Sequence, residues 1–405
     1  MPRAAAPQAA VKPAVAKPAK LSRPSAKHAA PKKEKVSRRD GFGLVGLEAK
    51  AALERGNWAA FEQLVTEKLP LHSVAWGTLS AYQPGWRQWV SFCILRGFSP
   101  FLPVETSAEK REASRRLLLF SGICAFGMGE RSSTLKGKLM AIRFFHLAFD
   151  MENPIDKVPR VWMGYRAIKR WEAPTERKHP VTPEMCDWMD EHQKSLGITG
   201  VIKRAARYFA LFLCCRSSEY LAPVDADKIM LVGDVSPMAG RRYTTWDDPA
   251  VDGIMAKFRS SKTDQYNEGA LRYVGMTDNS RCVVKALLEW FKLDPDHFLT
   301  EVDRPLFRFP GGRVMTREEM QNDLREAAVA VGIDEQRFGT HSWRVSGATW
   351  MYQAGYDIEV IKRHGRWTSN VVHVYLWEGS GHSGLAAKMA AVDFIIHAQM
   401  PKKPG

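Results

Sequence analysis

The chain has 405 residues, 45% hydrophobic and 25% charged, which is enough for two ordinary domains with cores of their own. Its net charge is +15, and a basic surface suits a phosphate backbone, although basic tails also serve solubility alone. No apolar stretch reaches the roughly 18 residues of a membrane-spanning helix and no hydrophobic secretory segment opens the chain, so an intracellular protein with no membrane partner is expected.

The charge is unevenly placed. Residues 1–40 hold eleven Lys and Arg against Glu34 and Asp40, a net of +9, leaving +6 for the remainder. This stretch of Ala, Pro, Lys and Arg has almost no large apolar side chain to offset its ordering entropy, so residues 1–44 read as a disordered basic tail. Three roles stand open for it. It suits a nonspecific DNA-binding arm whose Lys32, Lys33, Lys35, Arg38 and Arg39 would direct nuclear import in a eukaryote. It also has the composition of an organellar transit peptide, and of a solvated tail with no address.

From about 45 to 172 the pattern is helical. Residues 79–95 place Tyr82, Trp86, Trp89 and Phe92 at helical spacing, which reads first as core packing. A helix with an apolar second half follows over 109–126. Ser132, Ser133 and Thr134 offer a cap for a helix through Leu139, Ile142, Phe145 and Leu147. Pro159 leads into Trp162, Tyr165, Ile168 and Trp171, and the interleaved Arg166, Lys169 and Arg170 are candidates for phosphate contact. Residues 173–183 are polar and punctuated by Pro174, Pro180 and Pro183, which reads as a linker. Thr182 then caps a helix with proline at its first position.

The part over 184–400 mixes states. Residues 205–215 form an apolar helix ending at Arg216. Residues 228–234 read as a strand, and 251–276 as a hairpin with Lys262 at or near its tip. Helices follow over 281–292, 317–331, 342–354 and 357–363, with Gly332 and Gly355 as stops. Leu385, Met389, Val392 and Ile396 share one face of a further helix. The fold class expected is mainly α with a small β-sheet, a helical part followed by an α+β part.

Six cysteines, Cys93, Cys124, Cys186, Cys214, Cys215 and Cys282, include no two at metal-ligand spacing and read as reduced thiols. No carboxylate cluster, metal site or cofactor motif is found, so no cofactor is expected. Another chemistry is legible. Breaking a phosphodiester needs a nucleophile and donors matched to the charge growing on the non-bridging oxygens. Arginine suits the second task because its planar fork binds two oxygens and stays charged. Arg216 follows the apolar run 208–215, where a charge is costly unless paired, and Glu219 stands three residues on. Lys262 lies in Ser-Ser-Lys-Thr-Asp-Gln, Arg344 in His341-Ser-Trp-Arg, and Trp367 in His364-Gly-Arg-Trp, followed by Tyr375.

Arg216 with Glu219, Lys262, His341 with Arg344, Trp367 and Tyr375 resemble, in order and spacing, the tyrosine recombinase (phage integrase) family. The segments 261–265 and 365–369 are closest in style to the crypton and DIRS-like recombinases of mobile elements. The match covers about 180–398. Residues 70–172 fit the family's helical core-binding domain in character but carry no motif. The resemblance implies a helical core-binding domain over 45–172 and a catalytic domain over 184–400 closing around duplex DNA. It further implies a homotetramer on two DNA sites, and integration or excision of a mobile element. Tyr375 would be the nucleophile, Lys262 the general acid and His341 the acceptor of the tyrosine proton. Arg216 and Arg344 would clamp the phosphate. Trp367 would hydrogen-bond a phosphate oxygen or buttress the tyrosine's helix. Arg366 joins Arg166, Lys169 and Arg170 as a candidate DNA contact.

Two departures matter. Many family members carry histidine where Trp367 stands, which makes His364 the alternative. Eight residues separate Trp367 from Tyr375, where nine is more usual. Among other phenols, Tyr352 lies eight residues past Arg344 in a helix expected beneath the site. The family's C-terminal helix often docks on a neighbouring protomer, a role open to 385–396 beside packing on its own domain. Two rival functions remain: a type IB topoisomerase-like relaxing enzyme, and a recombinase-derived DNA-binding protein without activity.

Overall fold

The computed structural model describes residues 43–174, 176–225, 228–260 and 268–377. Residues 1–42 of the expected basic tail, Lys262 and the helix around 385–396 lie outside the described residues, and Gly43 and Leu44, the last two of that expected tail, already belong to the first helix. Among those described, helices dominate and one small antiparallel sheet is present. None of the described helices is long and apolar enough to cross a membrane.

The first part is built of α1 (Gly43–Glu54), α2 (Trp58–Gln63), α3 (Trp76–Leu95), α4 (Ser107–Gly122), α5 (Ser132–Ala148) and α6 (Pro159–Trp171). Thr106 starts α4 with a reciprocal cap: its hydroxyl accepts from the Glu109 amide at 3.2 Å, and Glu109 accepts from the Thr106 amide at 2.9 Å. The cap expected from 132–134 is absent at α5. Ser132 is already helical, and its hydroxyl donates to Glu172 instead. Trp89, Phe92, Leu117, Phe120, Leu139 and Val161 meet in one core, each fully buried large side chain contributing about 1.5–3 kcal/mol. The aromatic spacing on α3 is thus core packing, with Trp86 stacked on Phe145 at 4.9 Å. Helix α6 turns Val161 inward and leaves Arg166, Lys169 and Arg170 exposed.

The second part holds α7 (Pro183–His192), α8 (Ile198–Phe212), α9 (Val283–Leu293), α10 (Pro295–Leu299), α11 (Arg317–Ala330), α12 (Ser342–Gln353) and α13 (Ile358–Gly365). Thr182 caps α7 as expected, accepting from the Met185 amide at 3.3 Å. Strands β1 (Val235–Ala239), β2 (Arg242–Tyr243), β3 (Gly253–Phe258) and β4 (Ala270–Gly275) pair antiparallel in the order β2-β1-β3-β4. The hairpin expected over 251–276 is β3 and β4, with Phe258 opposite Ala270. The strand expected over 228–234 is not there. Residues Val232–Asp234 form a 3-10 turn, and pairing with β3 begins at Val235. Helix α8 packs against α9 and α12, and its face from Ala205 to Leu211 fills the larger core.

The end of the expected linker is not free. The Val181 amide donates to the Ser346 hydroxyl at 2.6 Å, and the Trp350 indole N–H donates to the Val181 carbonyl at 3.2 Å. Val181 is buried, so this end of the polar, proline-marked stretch lies against α12.

Candidate active site

Three chain segments converge where α8 ends. Past Phe212 the backbone turns through Cys214 with φ at 48°, a left-handed value uncommon outside glycine. This turn brings Arg216 and the 3-10 turn Ser217–Glu219 onto the face that α12 crosses. The crossing is close because residue 347 has no side chain. A Cβ there would lie 2.6 Å from the Cys214 sulfur and closer still to the Leu211 carbonyl. Gly347 therefore sets the depth at which Arg344, one turn earlier on α12, enters the site.

Arg344 is buried, 1% exposed. It donates from Nη1 to the Cys214 carbonyl and from Nη2 to the Gly365 carbonyl at 2.6 Å. Its guanidinium lies over the Trp367 ring at 4.0 Å. Desolvation, then the charges of Arg216 and Arg366, lower its pKa to about 10, so it stays charged at neutral pH.

Helix α13 delivers the next group. Asp357 caps its start by accepting from the Glu359 amide, and Arg366 ends it in the left-handed conformation, φ 60°. That reversal folds Trp367 back over Gly365, where any Cβ would fall inside the indole ring. Trp367, 7% exposed, then packs with Cys214, Ala348, Ile361 and Val372. Tyr375, the last residue of the 3-10 turn Asn370–Tyr375, sets its ring 5.3 Å from Trp367 and 5.1 Å from His341.

His341 stands at the start of α12. Desolvation by its neighbours, with the positive charges of Arg344 and Arg216, lowers its pKa to about 4. The residue keeps a solvent-exposed face, and the two adjacent cations act on its ring. The ring is neutral at pH 7 and able to take a proton.

The cations are unequal. Glu219, 1% exposed, accepts from the Arg216 amide at 2.8 Å, from Arg216 Nη1 at 3.2 Å and from Arg366 Nη2 at 2.7 Å. Two guanidiniums thus bond a single carboxylate, and with the charge of Arg344 nearby the corner holds an excess of positive charge. Arg216 keeps more of its side chain in solvent than Arg366, 18% against 6%. Arg344, expected with Arg216 to clamp the phosphate, is enclosed. Two of its five N–H donors are already used by carbonyls, which makes it the charged floor of the site.

Arg366 corrects another expectation. Proposed from sequence as a DNA contact, it is buried against Glu219, the Leu213 carbonyl at 3.1 Å and the Phe258 ring at 3.5 Å. It serves the fold of the site, not a groove. His364, the alternative to Trp367, directs Nε2 at the Phe212 carbonyl at 2.6 Å. A carbonyl only accepts, so that nitrogen carries the proton, and desolvation lowers the pKa of the ring. Trp367 is the one of the two whose ring meets Tyr375.

No protein-family profile matches this sequence, and no curated protein matches it. Solved structures do show likenesses. The Tn1549 transposon integrase in complex with circular intermediate DNA is 15% identical, over 86% of this chain and 99% of that one, with a TM-score of 0.44. A lambda integrase dimer bound to a COC′ core site is 12% identical over 85% and 93%, TM-score 0.44. XerA recombinase is 13% identical over 87% and 100%, TM-score 0.36. At these values they are likenesses only, and the chemistry of the site rests on the side chains around Tyr375.

Several site residues were not found from sequence. Arg272 on β4 donates to the His364 carbonyl at 3.0 Å and to the Arg363 carbonyl. It thereby ties the hairpin, whose connection includes Lys262, to the end of α13. Thr349 donates to the Tyr375 carbonyl at 2.8 Å. Contacts of side chains with distant carbonyls leave no periodic signal. Glu219 was legible because it follows a charge at the end of an apolar helix.

Proposed function

We propose that this chain is a tyrosine recombinase that cuts and rejoins duplex DNA through a 3′-phosphotyrosyl intermediate. The observation that carries the reading is the meeting of the Tyr375 ring with His341 and with Trp367, itself stacked on Arg344, beside a cluster of guanidiniums in excess of carboxylate. A phenol is a weak nucleophile until its proton has an acceptor and its target is polarised, and this corner supplies both.

In the proposed step the Tyr375 oxygen forms a bond to phosphorus while the bond from phosphorus to the 5′ oxygen breaks. The phenolic proton passes to neutral His341, and the departing 5′ oxygen takes a proton from Lys262. Arg216 binds the non-bridging oxygens directly. Arg344 adds fixed charge from below, where low dielectric makes it count for more. Reversal with another strand's 5′ hydroxyl rejoins DNA. Because the ester conserves bond energy, neither ATP nor a metal is required, and activity persists in EDTA. Four protomers on two sites, exchanging strands to integrate or excise a mobile element, is the assembly proposed. Arg166, Lys169 and Arg170 on the exposed face of α6 would hold the phosphate backbone.

The test is a nicked suicide substrate, on which cleavage releases a short fragment and strands the protein on DNA. Wild type accumulates a covalent protein–DNA species in EDTA, and Tyr375→Phe binds equally but forms none. Tight binding with no covalent species in wild type supports an inactive DNA-binding descendant. Relaxation of supercoiled plasmid that lacks any site supports the topoisomerase reading.

A further inference from the structure

We infer that Arg177, in the stretch joining the two cores, is a positioning residue for the nucleophile, acting as a strap on the backbone that carries Tyr375. The inference rests on the recombinase reading for its functional meaning, and on contacts alone for its geometry. Arg177 Nη2 donates to the Val374 carbonyl and to the Leu376 carbonyl at 3.0 Å, the two carbonyls that flank Tyr375. Its guanidinium also lies 5.0 Å over the Trp377 ring, which His179 meets edge-on at 4.8 Å.

The neighbouring carbonyls are held as well. Thr349 donates to that of Tyr375 at 2.8 Å, and Gln353 Nε2 to that of Trp377 at 3.4 Å. Four consecutive main-chain acceptors, 374 to 377, are thus fixed by three side chains. Two of these come from α12, which also bears Arg344, and the other comes from the connecting stretch. The physical need is plain. Asn370–Tyr375 is a short 3-10 turn whose last carbonyls have no partner within it, and a cation is the favoured group at such an end. So short a turn has little stability of its own. The strap is itself anchored: the Arg177 carbonyl accepts from Arg337 Nη2 at 3.2 Å, the His179 amide donates to the Arg337 carbonyl at 2.9 Å, and Val181 is pinned to α12.

Arg177 is exposed, so its replacement opens no cavity. The experiment compares full-length wild type, Arg177→Ala and Arg177→Lys in three measurements: hydrogen exchange, DNA affinity, and cleavage of the nicked substrate at saturating DNA. In Arg177→Ala, amides over 371–377 exchange about tenfold faster while those of α12 keep their protection. Cleavage slows about 10- to 100-fold, as small misplacements of a reacting group do, and affinity stays within about twofold. Lysine, which keeps the charge but not the fork, recovers part of the rate. Unchanged exchange and cleavage overturn the inference. So does faster exchange spread through α12, which marks a general structural role. If wild type forms no covalent species, the recombinase reading fails, and the exchange comparison still decides whether the strap holds the segment.

Discussion

His341 is the residue whose ionisation the site controls most visibly. Its folded-state pKa, about 4, lies below the ordinary 6.5. Between those values the unfolded chain binds a proton that the folded one refuses. The stability due to neutral His341 is therefore complete above pH 6.5 and is lost as pH falls toward 4. Denaturant midpoints measured across this window should fall more steeply in wild type than in His341→Asn. The other depressed histidines, His146, His179, His297 and His364, contribute to both proteins and cancel in the comparison. Equal slopes would show that neither desolvation nor the adjacent cations lower the pKa of His341. At this scale residue type singled out Arg216, Glu219, His341, Trp367 and Tyr375, and the structure brings these side chains into one corner. It misled at Arg366, because a basic residue in a motif looks the same whether it faces solvent or a buried carboxylate.

Helix positions were legible through periodicity and stops: Gly332 and Gly355 do end α11 and α12 with positive φ, 76° and 87°. Strand β1 was not, for two physical reasons. Pro237 sits inside it, and proline within a run argues against a strand. Just upstream, Ile229 and Met230 are buried without joining the sheet, and burial alone gives the same apolar pattern as pairing. Element packing makes its own prediction. Gly347→Ala forces α12 away from the end of α8 and should cost about 1–3 kcal/mol, as overpacking does, with cleavage falling as Arg344 shifts. Gly137→Ala in α5, where an added Cβ meets nothing within 4 Å, should instead stabilise by about 0.5–1 kcal/mol, the helix propensity difference. Chemical denaturation of the two variants checks both signs. Similar effects at the two positions would mean that the α8–α12 contact is loose.

Across the whole molecule, two cores stand on either side of a connecting stretch whose far end is bonded to α12. An exposed basic face on α6 belongs to the first part and the guanidinium cluster to the second. Residues 1–40 add eleven further cations. Because phosphate contacts release counterions, log affinity falls with log salt in proportion to the contacts made. Removing 1–40 should therefore weaken binding to all DNA sequences and flatten that dependence. A changed site preference would instead make the tail a reader of bases.

The proposed chemistry turns on one covalent bond. Wild-type protein trapped on the nicked substrate should be digested, and the nucleotide-bearing peptide sequenced by mass spectrometry. A single adduct is expected, on the oxygen of Tyr375 and linked to a 3′ phosphate. An adduct on any other side chain, or a 5′ linkage, would contradict that chemistry.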